Sequence, residues 1–115
     1  LLIDDSVFTL HHYSGMVSAM GCEVATAESG EEAISRLRAE NPDIVLCDLM
    51  MPEMDGFEVL EEFKKTGKLP VFLFVTADVQ EHTEKKALEE GATGLIQKPL
   101  TEESLREVIS RYGKK

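Results

Sequence analysis

Positive charge is scarce in this sequence: 12 lysines and arginines stand against 22 aspartates and glutamates, a net charge of −10 over 115 residues. Such a field repels nucleic acid and anionic lipid, so direct nucleic-acid binding and membrane attachment are not expected. Clustered carboxylates would favour a cation instead. Long apolar runs are also missing, and none approaches the length of a membrane span. No signal peptide is visible, because Leu1-Leu2-Ile3 is too short for its apolar region and lacks a basic flank. Cysteine is limited to Cys22 and Cys47, both in apolar strand-like runs. They are expected as buried free thiols in a reducing cytoplasm rather than as a disulfide. There is no repeat, linker or low-complexity segment. The lack of Met at position 1 implies residues upstream of Leu1 and a first strand longer than the one visible.

What is present is an ordinary globular composition, 43% hydrophobic and 30% charged, at a length that suits one domain over residues 1–115. Two periodicities alternate along the chain. Short apolar runs occur at Leu1–Ile3, Cys22–Ala27, Ile44–Cys47, Val71–Val75 and Gly94–Gln97. Between them lie helical stripes: Leu10, Tyr13, Val17 and Met20; Ala33, Ile34 and Leu37; Phe57, Leu60 and Phe63; Leu105, Val108, Ile109 and Tyr112. The stretch from Val79 to Glu90 is weakly apolar, with Ala87 and Leu88 as its core candidates. Gly21, Asn41-Pro42, Gly67 and Gly91 stand where helices should stop. Ser29/Glu32, Asp55/Glu58 and Asp78/Glu81 have capping-box spacing, and Thr101 followed by Glu102 and Glu103 starts a last helix. Continuous apolar strands alternating with helices predict five βα units and a doubly wound parallel α/β sheet covered on both faces.

In a parallel sheet all strand C-terminal ends share one edge, where open α/β sheets bind ligands. Asp48 ends the run Ile44-Val45-Leu46-Cys47, Asp4-Asp5 follow Leu2-Ile3, Thr76 follows Val71–Val75, and Lys98-Pro99 follow Leu95-Ile96-Gln97. Each residue type suits phosphoryl transfer. A carboxylate can be the nucleophile, neighbouring carboxylates are hard-oxygen ligands for Mg²⁺, and an ammonium and a hydroxyl stabilise the transferring oxygens. Taken singly, each has a bland explanation: a turn or cap aspartate, a turn threonine, a solvated lysine. Four such features on one edge, with like charges that need neutralising, argue for a site.

The residues Asp4-Asp5-Ser6, Asp48-Leu49-Met50-Met51-Pro52-Glu53-Met54-Asp55-Gly56, Val75-Thr76-Ala77 and Gly91-Ala92 through Lys98-Pro99 give the whole chain a close resemblance to a response-regulator receiver domain of two-component signalling. That resemblance implies a flavodoxin-like (βα)5 fold with strand order 2-1-3-4-5. It implies that Asp48 is the phosphoacceptor, taking a phosphoryl group from the phosphohistidine of a histidine kinase or phosphotransfer protein. Asp5 would bind Mg²⁺ directly, Asp4 largely through water, and the backbone carbonyl of Met50 would complete the protein ligands. Thr76 and Lys98 would each hold a phosphoryl oxygen. A cis peptide would join Lys98 to Pro99, and Pro52 and Gly56 would shape the loop after Asp48, Gly56 through its backbone freedom. Such a domain is a switch rather than an enzyme, although it assists its own phosphorylation and dephosphorylation.

Leu95 departs from the family, which usually carries Tyr or Phe three residues before the lysine, and Leu100 stands where Phe is common. Both bear on coupling to partners rather than on phosphoryl chemistry. Met50 and Asp78 resemble the positions that flank the path of attacking water, although Asp78 also reads as a helix cap. His11, His12 and His82 are expected to be solvated helix residues, and Met50, Met51 and Met54 to be loop packing. The resembling output surface is the fourth helix, last strand and last helix, with Lys85, Lys86, Gln97 and Arg106 contributing to contact with a downstream protein or fused output domain. No output domain fits in this length, so the chain is expected to be either a stand-alone receiver or one cut from a larger regulator, and the ending Tyr112-Gly113-Lys114-Lys115 slightly favours the first. A phosphorylation-independent interaction module is the alternative. An aspartyl-phosphate hydrolase would need a second acid at position 50, and a flavin site would not place Asp4-Asp5 where a phosphate loop belongs.

Overall fold

The computed structural model describes residues 1–77 and 79–113. Its elements alternate as β1 (Leu2–Ile3), α1 (Val7–Ala19), β2 (Thr26–Ala27), α2 (Gly30–Glu40), β3 (Ile44–Asp48), α3 (Gly56–Lys65), β4 (Val71–Thr76), α4 (Glu81–Glu89), β5 (Gly94–Gln97) and α5 (Glu102–Tyr112). All strand pairs are parallel and the order is β2-β1-β3-β4-β5. This is the flavodoxin-like doubly wound sheet. The chain steps outward from β1 to β2, then returns past β1 to β3. The reversal leaves a crevice between the C-terminal ends of β1 and β3.

Both faces of the sheet are buried, which is why its strands lack polar alternation. Val45, Cys47, Phe72 and Phe74 pack with Leu37, Val59, Leu60, Phe63 and Ala87 on one face. Leu46, Leu73 and Val75 pack with Leu10, Tyr13, Leu105 and Val108 on the other. The first core is organised by aromatic edges: Phe63 meets Phe72 at 5.4 Å between ring centroids, Phe72 meets Phe74 at 5.2 Å, and Phe57 meets Phe74 at 4.8 Å.

Helix ends follow the side-chain signals. Ser6 caps α1 by accepting the Thr9 N–H at 3.2 Å. Ser29 accepts the Glu32 N–H, but Glu32 reaches back to the N–H of Glu28 rather than closing a box. Asp55 and Glu58 close the full capping box on α3, and Thr101 closes one with Ser104 on α5. Asn41 ends α2 in the left-handed region at φ 51°.

Four expectations need correction. The run Cys22–Ala27 forms a strand only at Thr26–Ala27, because β2 is an edge strand and β1 offers it only Leu2 and Ile3. Cys22 therefore lies outside the sheet and is half-buried, while Cys47 is buried; both are free thiols. Helix α4 starts at Glu81, with Gln80 as an N-cap that makes no side-chain cap bond; Asp78, expected as cap or water gate, lies outside the described residues, as do Lys114 and Lys115. Leu88 is 52% exposed, since the inward face of α4 is set by Thr83 and Ala87, four residues apart.

Candidate functional site

Adjacent strands β1 and β3 deliver the carboxylates. Asp4 leaves β1 with its N–H still bound to Ala27 O at 3.1 Å, and Asp48 is the last residue of β3. Carboxylate oxygens of Asp4, Asp5 and Asp48 lie within 4.8 Å of one another. Asp4 and Asp48 are buried, and Asp5 faces solvent at the rim. Oxygen donors at such separations, with one open side, fit a hard divalent cation that keeps several waters. Asp4 is further fixed because its Oδ1 accepts the Ser6 N–H at 2.9 Å. The Met50 N–H donates to Asp48 Oδ1 at 3.3 Å, placing that peptide beside the carboxylate, while the Met50 side chain is exposed.

Lys98 reaches this group from β5. Its Nζ stands 3.1 Å from Asp4 Oδ2 and 3.4 Å from Asp48 Oδ1. Its backbone N–H donates to Thr76 O at 2.8 Å, tying the end of β5 to the end of β4, and Lys98–Pro99 is cis. Thr76 is buried on the same edge, one residue beyond Val75, the β4 partner of Asp48. Asp4, Asp5, Asp48, Lys98, Thr76 and the Met50 peptide thus come to one sheet edge. His11, His12 and His82 are exposed on their helices.

Burial pushes the Asp48 carboxyl up from its ordinary range, the charge of Asp4 adds to this, and Lys98 with the Met50 N–H only partly oppose it. Burial pulls the Lys98 ammonium down, yet its hydrogen bond to Asp4 and the charges of Asp48 and Asp4 outweigh that and raise it. Burial and then the charges of Asp48, Asp4 and Asp55 hold the Cys47 thiol well above its usual value, so it stays protonated and unreactive. The folded chain therefore binds more protons at Asp48 than the unfolded chain, and stability falls as pH rises through that window. Asp48→Asn is expected to stabilise the cation-free protein at pH 7 by about 0.5–2 kcal/mol. The gain should disappear below 3.8, the ordinary carboxylate value. Urea midpoints in chelator at pH 7 and in acid check this; a less stable variant at pH 7 contradicts it.

The family profile described as "Response regulator receiver domain" matches residues 1–110. This chain belongs to that family. Receiver domains are modules of two-component signalling and are generally not enzymes. Protein PilH of Pseudomonas aeruginosa is 33% identical over 113 residues, covering 96% of this chain and 93% of that protein. The chemotaxis protein CheY4 of Vibrio cholerae superposes with a TM-score of 0.90 at 27% identity, covering 96% of this chain and 94% of that one. The CheX–CheY–BeF3–Mg complex from Borrelia burgdorferi gives a TM-score of 0.86 at 33% identity, covering 98% and 87%. The chain spans 7% of a hybrid signal transduction histidine kinase of Dictyostelium discoideum and 45% of the transcriptional regulatory protein PhoP of Bacillus subtilis. Among the described residues no helix is long and apolar enough to cross a membrane.

Two features of this receiver domain were not foreseen. Lys86, expected to contribute to the output surface, is exposed on α4, and its ammonium stands 4.4 Å from the centroid of the Phe57 ring, a contact that joins α4 to α3. Gly56 was expected to serve through backbone freedom, but it is not among the glycines with positive φ. A Cβ there would lie 2.8 Å from Phe74 Cε1 and 2.9 Å from Asp48 O. Gly56 is present because the loop leaves no room for a side chain.

Proposed function

We propose that this receiver domain accepts a phosphoryl group on Asp48 from the phosphohistidine of a histidine kinase or phosphotransfer protein, with Mg²⁺ held by Asp5, Asp48, the Met50 carbonyl and, largely through water, Asp4. The observation that carries the reading is the convergence of Asp4 and Asp48 on the Lys98 ammonium, within 3.1 and 3.4 Å, beside an open acidic rim. A carboxylate oxygen of Asp48 attacks phosphorus. The N–P bond of the phosphohistidine breaks, its electron pair returns to the imidazole nitrogen, and an acyl phosphate remains on Asp48. Lys98 trades its contact with Asp48 for one to a phosphoryl oxygen, and the Thr76 hydroxyl donates to another. The bound cation would supply charge neutralisation for the transferring oxygens and for the three carboxylates. Two unpaired thiols suit a reducing, cytoplasmic setting.

The output follows from a groove of about 520 Å³ between α4, β5 and α5, lined in part by Leu95, Ile96, Gln97 and Tyr112. Leu95 is half-buried there and pairs across the sheet with Phe74. Repacking of an aliphatic side chain, rather than rotation of a ring, would then alter this face for a downstream protein or fused output domain. The alternative of a phosphorylation-independent module is less favoured, since the acceptor, acidic pair, hydroxyl and lysine are all present.

Intact mass with acetyl phosphate, with and without Mg²⁺, tests the reading. A Mg²⁺-dependent phosphoryl adduct is expected in the wild type and none in Asp48→Asn, whose amide spectrum should remain that of a folded protein. An adduct of equal yield in the variant would refute the assignment of Asp48.

A further inference from the structure

Tyr13 is a polar-tipped residue in an otherwise aliphatic stripe, and it is only 7% exposed. Its hydroxyl oxygen accepts the N–H of Leu100 at 3.0 Å in a buried bond that joins residues 87 apart in sequence. Leu100 follows Lys98 by two residues and is itself buried. The short segment from Lys98 to Leu100 is thus held at both ends. At one end the Lys98 N–H binds Thr76 O at 2.8 Å, and at the other the Leu100 N–H binds the phenol. Tyr13 and Leu100 also line the same small cavity, about 10 Å³, as Asp4 and Asp48.

We propose that Tyr13 is a positioning residue for Lys98, acting through the backbone of Leu100. The inference rests on the phosphoacceptor reading and extends it to a residue of α1 that meets neither metal nor phosphoryl group. A buried N–H must find an acceptor. Without the phenol oxygen, Leu100 has to move toward one, and the segment carries Lys98 with it. Pro99 has no N–H that could take over as an anchor. The ammonium then loses its place between Asp4 Oδ2 and Asp48 Oδ1, which it holds at 3.1 and 3.4 Å. Since a lysine stem is long and flexible, its aim depends on where its backbone is fixed.

Tyr13→Phe tests this, because it keeps the ring and removes the acceptor. Three readouts are needed on the full chain. Amide hydrogen exchange at Leu100 should accelerate. The Lys98 side-chain NMR resonances should shift while those of the exposed Lys65 do not. The maximal rate of phosphoryl uptake from acetyl phosphate should fall by about tenfold, at an unchanged half-saturating concentration. In a Lys98→Ala background the same change should cost no further rate, because the hydroxyl acts through a side chain already removed. An equal loss in both backgrounds, unmoved Lys98 resonances, a wild-type rate, or loss of the native amide spectrum would each overturn the positioning role. If the wild type itself takes up no phosphoryl group, the phosphoacceptor reading fails. The Lys98 resonances then still decide whether Tyr13 fixes the lysine.

Discussion

Lys98→Ala is expected to slow phosphoryl uptake at Asp48 by about 10²–10³-fold, the scale of losing one preorganised donor to a developing anion. The same change should destabilise the cation-free fold. Asp4 and Asp48 are 5% and 6% exposed, and among the described residues Lys98 is the cation that stands within 3.4 Å of both. Removing one partner of a fully buried pair costs about 3–5 kcal/mol. Here the lysine side chain is 28% exposed, so water takes up part of the loss and about 1–3 kcal/mol is expected. The raised ammonium places this contribution fully below pH 10.5, its ordinary value, and removes it as pH rises beyond the folded-state value. At neutral pH it is complete. Initial adduct rates by mass, and urea midpoints in chelator with and without Mg²⁺, measure the two effects. Added Mg²⁺ should recover much of the stability but not the rate, since a cation among the carboxylates replaces the charge of Lys98 without its position. A wild-type rate in the variant would reduce Lys98 to a counterion.

The convergence of the candidate site's residues was legible in the sequence because it needs only topology. Asp4, Asp48, Thr76 and Lys98 each end an apolar run, and parallel pairing puts all such ends on one edge. No side-chain contact had to be foreseen. What escaped the sequence depends on contacts between distant segments. Nothing in the run Cys22–Ala27 shows that its neighbour pairs with two residues alone. Hydrophobicity favours Leu88 over Thr83 for the core, yet the inward face of α4 is set by the i, i+4 pair Thr83 and Ala87. The cation over Phe57 and the phenol beneath Leu100 join residues 29 and 87 apart. For Tyr13 there was one faint signal, a hydroxyl in an aliphatic stripe, because a buried phenol oxygen usually finds a partner. At Gly56 the crowding could not be told from a need for positive φ, since lack of space and an unusual backbone angle look alike in a sequence.

That difference sets the sign of the second large effect. Gly56 is the first residue of α3, inside the capping box of Asp55 and Glu58. By helix propensity alone, Gly56→Ala should stabilise the protein by about 1 kcal/mol or less. The packing predicts the reverse. The new methyl would lie 2.8 Å from Phe74 Cε1, 2.9 Å from Asp48 O and 3.0 Å from Leu49 Cα. Phe74 is fully buried among Phe57 and Phe72, and the other two atoms are backbone, so none of the three can swing aside. Overpacking typically costs about 1–3 kcal/mol, which exceeds the propensity gain, and a net loss of about 1–2 kcal/mol is expected. The relief of the clash must come from the loop between Asp48 and Gly56, whose Gly56 N–H to Leu49 O bond at 2.9 Å will lengthen. Asp48 moves with that loop. A displacement near 1 Å in a reacting group is worth about 10² in rate, so phosphoryl uptake should fall by up to that factor, while Asp55→Ala, which weakens the same helix start without touching Asp48 O, should lower stability and leave the rate within about twofold. Urea midpoints and initial adduct rates on the two variants separate a helix effect from a loop effect. A stabilised Gly56→Ala with wild-type uptake would mean that the loop after Asp48 has slack and that Gly56 does not hold Asp48 in place.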